Sequence, residues 1–179
     1  MIFIKSQVLR LFVAVNLNND IIDALCKACD NLKAKSKEGV FTRKENFHLT
    51  LVFIGETDRL KDIKGVLDGI SFSPLEITLG KPGFFRRYGG DIHYISVLAG
   101  SLEGVAKDVS DRLRNIGFNI ENQPFVPHIT LARQVILRDK EPVEVMPASM
   151  TVNRISLMKS ERINGVLKYT EIYYKDADI

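Results

Sequence analysis

Two short segments of the chain, Phe47-His48-Leu49-Thr50-Leu51 and Pro127-His128-Ile129-Thr130-Leu131, are near copies of one another. Each places a histidine and a threonine two residues apart inside an apolar run. In a strand, successive side chains point to opposite faces, so His48 and Thr50 share one face while Leu49 and Leu51 lie on the other. The second copy repeats the pattern: His128 and Thr130 face a cleft, Ile129 and Leu131 a core. Two imidazoles brought together in this way supply a general base and a general acid near neutral pH. That pairing suits attack on a phosphodiester. One neutral imidazole takes a proton from water, the other, as imidazolium, protonates the leaving sugar oxygen, and the threonine hydroxyls donate to non-bridging oxygens as charge develops there. The plainer reading of Thr50 and Thr130 is that threonine favours strands.

A single histidine on an apolar strand is ordinarily a packed core residue. Here two of only three histidines fall in matching frames, which chance packing does not readily produce. The third, His93, has Ile95 where a threonine would be needed, and its expected role is structural. No Asp or Glu lies inside either motif, and the nearest, Glu45 and Glu56, flank the first strand, so no metal site is expected. Arg133 follows the second motif closely, and its fork of donors matches phosphate geometry, with a solvated strand edge as the alternative. Arg86 and Arg87, flanked by Phe84, Phe85 and Tyr88, combine cations with stacking surfaces of the kind single-stranded RNA requires, and Phe85 is a candidate substrate contact. A solvated turn anchored by two aromatics is the other reading of that stretch.

The elements that must position these residues also come in duplicate. Arg10 to Val15 reads as a buried strand, Asn19 to Lys35 as an amphipathic helix, and Phe47 to Ile54 as a strand ending at Gly55. The order recurs as a strand over Asp91 to Leu98, a helix over Ser101 to Ile116 ended by Gly117, and a strand over Phe125 to Ala132. Between the units, a helix is expected over Thr57 to Ile70 and a strand over Leu75 to Leu79, followed by a Gly- and Arg-rich loop from Gly80 to Gly90. Strands at Thr151 to Met158 and Lys168 to Tyr174, with Asn164-Gly165 as a turn signal between them, complete the chain. The outline is a two-lobed α+β protein: antiparallel sheets about a pseudo-twofold axis, helices outside, and a shared central groove to which each half delivers one histidine.

At 179 residues, with 45% apolar and 26% charged residues, the chain fits a single two-lobed domain over 1–179 with a substantial core. The formal charge of +3 favours an anionic partner mildly and lacks the dense basic field of a dedicated duplex binder. Cys26 and Cys29 fall on the apolar stripe of the first helix with Ile21, Ile22, Leu25 and Leu32, which marks them as packing residues. Two thiols and no export signal point to a reducing, cytoplasmic setting. The opening Met1-Ile2-Phe3-Ile4-Lys5 is interrupted by charge at Lys5 and Arg10 and lacks a small-residue cleavage site, and no apolar run is long enough to span a membrane.

These motifs resemble those of the RNA 2′,3′-cyclic phosphodiesterases once called 2′-5′ RNA ligases, within the two-histidine phosphoesterase superfamily. The resemblance runs along nearly the whole chain. It is densest over Glu45-Asn46-Phe47-His48-Leu49-Thr50-Leu51-Val52-Phe53-Ile54-Gly55-Glu56 and Phe125-Val126-Pro127-His128-Ile129-Thr130-Leu131-Ala132-Arg133, and extends to Arg10-Leu11-Phe12-Val13-Ala14-Val15, Ser160, Gly165 and Tyr169. It implies metal-independent opening of a terminal 2′,3′-cyclic phosphate to a 2′-phosphate, with His48 as proton donor to the 3′ oxygen, His128 as proton acceptor from water, and weak reverse 2′-5′ ligation. The implied partners are RNA with such an end, tRNA fragments included, or a small cyclic nucleotide, with no cofactor and a monomeric protein. Asp91 and Tyr94 stand where the family commonly has Arg and Trp, and Phe41 where Trp is frequent. Met1 to Val8 precede the family's usual start and are expected to have no catalytic part. Two other readings stay open: an RNA-end binding module without turnover, and a phosphodiesterase for another cyclic or 2′-5′ linked nucleotide.

Overall fold

The strand Leu9–Asn16 (β1) is buried from Leu11 to Val15, which is why it reads as an unbroken apolar run with no alternation of polar residues. It lies between two partners, and its two faces serve different purposes. Leu11, Val13 and Val15 enter the main core, while Phe12 and Ala14 form a small second cluster with Met158, against which Tyr169 packs. In this computed structural model the described residues are 7–138 and 141–178. The expectation for Met1 to Val8 therefore falls mostly outside them.

The chain continues through helix Asn19–Ala34 (α1), strand Ser36–Phe41 (β2), a 3₁₀ turn at Lys44–Asn46, strand His48–Thr57 (β3), helix Leu60–Asp68 (α2), and strands Leu75–Phe85 (β4) and Asp91–Leu98 (β5). Helix Leu102–Asn115 (α3) and strands His128–Leu137 (β6), Ser149–Val152 (β7), Arg154–Ile163 (β8) and Val166–Asp176 (β9) follow. They form a four-stranded sheet ordered β3-β1-β8-β9 and a five-stranded sheet ordered β2-β6-β5-β4-β7. All the pairings are antiparallel. The pseudo-twofold relation is visible in the order: β3-β1-β8 in one sheet matches β6-β5-β4 in the other, and β3 and β6 approach each other.

Local chemistry accounts for the ends of the elements. The Asn18 side chain accepts from the Ile21 N–H at 3.0 Å and starts α1, as a short polar residue at the N-cap should. Gly117, at φ +90°, ends α3, and the Phe118 N–H returns to the Leu113 carbonyl at 3.0 Å, the wrapped-back ending that a left-handed residue allows. Asn164 and Gly165, at φ +50° and +77°, make the tight turn of the β8–β9 hairpin, as their sequence signals.

Four expectations need correction. The Gly80–Gly90 stretch is not a loop throughout, because β4 continues to Phe85. Its glycines permit close approach to the neighbouring strand. A Cβ on Gly80 would stand 2.5 Å from Ser96 Oγ, and one on Gly83 2.6 Å from the Tyr94 ring. A bulge between Leu79 and Pro82, closed by Lys81 N–H donating to Ser96 Oγ at 2.9 Å, absorbs the proline at a position that makes no demand on its missing N–H. The single strand expected over Thr151 to Met158 is two strands: β7 pairs with β4 in one sheet and β8 with β1 in the other. The helix expected from Thr57 starts at Leu60, because Thr57 completes β3 and its hydroxyl accepts from the Arg59 N–H at 3.0 Å. The strand expected from Phe125 starts at His128 and runs on to Leu137, held at its far end by β2, which lacks an apolar alternation to announce it.

The halves interlock. Helix α1 packs on β2, β6 and β7 of the five-stranded sheet, while α2 and α3 pack on β9 and β3 of the four-stranded one. One buried cluster runs through both sheets and includes Leu25, Leu49, Leu67, Ile95, Leu113 and Ile129. Cys29 belongs to it, donating to the Leu131 carbonyl at 3.6 Å, and burial pushes its thiol up to about 11, so it is an inert packing residue. Among the described residues, no helix is long and apolar enough to cross a membrane.

Candidate active site

The two histidines open their strands, His48 as the first residue of β3 and His128 as the first of β6. Both are oriented by the same local bond. Nδ1 of His48 lies 2.8 Å from the carbonyl of Asn46, and Nδ1 of His128 lies 2.6 Å from the carbonyl of Val126. A carbonyl only accepts, so Nδ1 carries the hydrogen in both rings. Nε2 is then the atom left to exchange a proton, an acceptor in the neutral ring and a donor in the charged one. The Asn46 end is anchored in turn, its buried side-chain amide donating to the Leu167 carbonyl of β9 at 3.0 Å.

The duplication also reaches the aromatic surroundings. His48 meets Phe12 and Tyr169 with ring centroids 4.9 and 5.0 Å away, and those two rings meet each other at 5.0 Å. His128 meets Phe85 and Tyr94, each at 5.2 Å, and those rings are 4.5 Å apart. Each imidazole therefore sits in a two-ring bracket drawn from its own sheet, which fixes the ring plane.

Both strands carry a bulge immediately after the motif. Ala14 pairs with Thr50 but Val13 with Val52, and Tyr94 pairs with Thr130 but His93 with Ala132. One extra residue, Leu51 in β3 and Leu131 in β6, breaks the alternation, so Leu51 and Val52, like Leu131 and Ala132, are all buried. A bulge bends and twists the strand that carries it. Here it sends two consecutive side chains into the core directly after the His-x-Thr end of each strand, while His48, Thr50, His128 and Thr130 stay half-buried. The hydroxyls of Thr50 and Thr130 make no hydrogen bond among the described residues.

Electrostatics separate the two halves. Burial, with smaller effects from the charges of Arg133 and His128, holds His48 below the ordinary histidine value, against the Asn46 carbonyl that favours the charged ring. Arg133 thus reaches the first histidine from the second strand. It has no ion pair among the described residues. A second bulge follows it, with Gln134 at φ +54°, and Arg133 is exposed.

The sequence of the chain and its fold together now settle its family, since residues 21–164 match the 2′-5′ RNA ligase superfamily. The chain belongs to that superfamily. A protein of Methanocaldococcus jannaschii named RNA 2′,3′-cyclic phosphodiesterase is 30% identical over 138 residues, covering 76% of this chain and 78% of its own. One of Aeropyrum pernix with the same name is 35% identical over 131 residues, covering 65% and 73%. Among solved structures, E. coli LigT complexed with 3′-AMP superimposes with a TM-score of 0.83 at 22% identity, covering 96% of this chain and 99% of that one, a likeness of fold.

In this member of the 2′-5′ RNA ligase superfamily, the predicted residues His48, His128, Arg133 and Phe85 gather at one place, with Thr50 and Thr130 beside the histidines. His93 does not join them. It is buried and stacked on Phe84 at 5.6 Å, in line with the structural role expected. Sequence reasoning missed the bracket. Phe12, Tyr94 and Tyr169 give no signal by spacing, because each comes from a neighbouring strand and only register brings it beside a histidine. The Arg86–Arg87 pair divides: Arg87 lies over Phe85 and Arg86 over Phe84, on opposite faces of the strand. A concavity of about 540 Å³ between α2 and α3, lined by Arg59, Val66, Arg112 and Ile116, contains none of the site residues.

Proposed function

We propose that the protein opens 2′,3′-cyclic phosphate ends of RNA to 2′-phosphates, with His48 and His128 as the acid-base pair. The observation that carries this reading is the matched orientation of the two rings: each Nδ1 is tied to the carbonyl two residues back, which leaves each Nε2 to exchange a proton, and the charge of Arg133 reaches His48 from the other sheet. In the reaction, water attacks phosphorus and gives its proton to Nε2 of neutral His128. The bond from phosphorus to the 3′ oxygen breaks, and Nε2–H of charged His48 supplies the proton that makes the 3′ hydroxyl. The 2′ ester bond stays intact. Thr50, Thr130 and Arg133 hold the non-bridging oxygens, and Phe85, through its contact with His128, lines the side from which substrate enters. The names of the relatives support cyclic phosphodiester hydrolysis and an RNA substrate.

The acid role of His48 requires a charged ring at a buried place. A bound phosphate supplies the missing counter-charge, so the substrate itself raises the proton affinity of its acid. No metal takes part in this scheme: neither motif carries a carboxylate, and among the described residues no group of three or more His, Cys, Asp or Glu side chains is placed to hold a metal ion. With a 5′ hydroxyl in the place of water, the same proton transfers open the 2′,3′-cyclic phosphate onto that hydroxyl, giving weak 2′-5′ ligation. The protein works as a monomer in the cytoplasm.

The test is to incubate the purified protein, with EDTA present, with an RNA oligonucleotide ending in a 2′,3′-cyclic phosphate and to identify the product end. A 2′-phosphate is expected. A 3′-phosphate, or a reaction that needs added divalent cation, would overturn the scheme.

A further inference from the structure

One same-face position beyond Phe12 on β1 stands Arg10. It pairs with Ser160 on β8, which pairs with Tyr169 on β9, so Arg10, Ser160 and Tyr169 form a row across the sheet on the face that carries Phe12. Arg162 lies two residues past Ser160 on that face, and Arg133 enters from the other sheet. The charges of Arg133, Arg10 and Arg162 all act on the Tyr169 side chain. Arg10 and Arg162 thus share a sheet face with a phenol whose ring touches His48, and whose hydroxyl makes no hydrogen bond among the described residues.

Like charges gathered at one place repel, and protein surfaces ordinarily intersperse acids among them. Among the described residues, none of the three arginines closes an ion pair with an acid. Arg162 donates to the Gly165 carbonyl at 2.9 Å, and Arg10 lies over the exposed ring of Phe53, 5.0 Å from its centroid. Glu56 stands opposite Arg10 in the β1–β3 register without closing an ion pair. The cyclic phosphate between the histidines accounts for Arg133 but leaves Arg10 and Arg162 without an anion. The next anion along an RNA strand is the phosphodiester of the preceding nucleotide.

We propose that Arg10, Arg162 and the Tyr169 hydroxyl hold the phosphodiester one nucleotide upstream of the cyclic end, so that the protein prefers an RNA strand to a cyclic mononucleotide. This rests on the assignment of the groove to a cyclic phosphate end. The exposed Phe53 ring beside Arg10 gives the upstream base a stacking surface.

The experiment compares kcat/KM for adenosine 2′,3′-cyclic phosphate with that for an RNA trinucleotide ending in the same cyclic nucleotide, in the wild type and in Arg10→Gln and Arg162→Gln. Each substitution is expected to lower the trinucleotide value about tenfold, as loss of a charge-assisted phosphate contact does. The mononucleotide value should stay within about twofold, the ordinary range for a surface change. The salt dependence of trinucleotide binding should also flatten, by about 0.7 in the log–log slope per lost contact. Equal losses on both substrates, or no loss on either, would overturn the proposal. Should the wild type turn over neither substrate, the cyclic-end reading fails, and anisotropy of a fluorescein-labelled trinucleotide with a linear 3′-phosphate decides this one. Weaker binding by the variants supports the upstream site, and unchanged binding removes it.

Discussion

The acid role proposed for His48 needs a proton, and the surroundings of the ring discourage one. Burial is the first cause of its lowered pKa, and the Arg133 charge adds to it. An imidazole whose charged form is disfavoured binds its proton more weakly, so in the free protein His48 should titrate below the ordinary 6.5. Adding an anion beside the ring, or removing the cation, favours the charged form. The His48 resonance followed by NMR should therefore titrate at higher pH with inorganic phosphate bound, and also in Arg133→Gln. A titration unmoved by both would separate Arg133 and the phosphate from this histidine. For turnover, His48→Ala and His128→Ala should each lose about 10²–10⁴ in rate, the usual worth of a positioned acid or base. RNA-end binding measured by anisotropy should persist in both.

The strand β4 shows how one element sets a side chain it does not carry. Gly83 lies against the Tyr94 ring, and a Cβ there would come within 2.6 Å of it. Tyr94 in turn contacts His128. Gly83→Ala should therefore push Tyr94 against His128, cost about 1–3 kcal/mol as an overpacked contact does, and lower turnover more than it lowers binding. Urea denaturation and steady-state kinetics read the two effects separately. This glycine also shows why part of the fold is hard to read in the sequence. The residues Gly80-Lys81-Pro82-Gly83 have loop composition, yet they form a strand because two side chains of β5, Ser96 and Tyr94, fill the space that side chains at Gly80 and Gly83 would have occupied. The His-x-Thr frames were legible because strand alternation is local. The bulges after them, the exchange of strand between β7 and β8, and the aromatic brackets depend on register between distant segments, which no spacing along the chain records.

At the scale of the whole molecule, the two lobes share their supports. Helix α1 follows β1 of one sheet but packs on the other, and the buried cluster is continuous across both. We propose that the lobes fold as one domain. Thermal unfolding followed by circular dichroism and by tyrosine fluorescence should give a single coincident transition, and light scattering should report a particle near 20.2 kDa. Two separated transitions would mean that the lobes are independent and the groove only a contact between them. The shared core also explains the precision of the site: the histidines belong to different sheets, yet each is fixed by its own strand pair, so their separation is set by packing and not by a loop.

The assignment of acid and base is tested most directly by replacing the 3′ oxygen of the cyclic phosphate with sulfur. A thiolate leaves without needing a proton, because a thiol is far more acidic than a sugar hydroxyl. His48→Ala should be slow on the oxygen substrate and close to the wild type on the sulfur one, while His128→Ala should be slow on both. A His48→Ala enzyme equally impaired on sulfur and oxygen would contradict the proposal that this histidine is the proton donor.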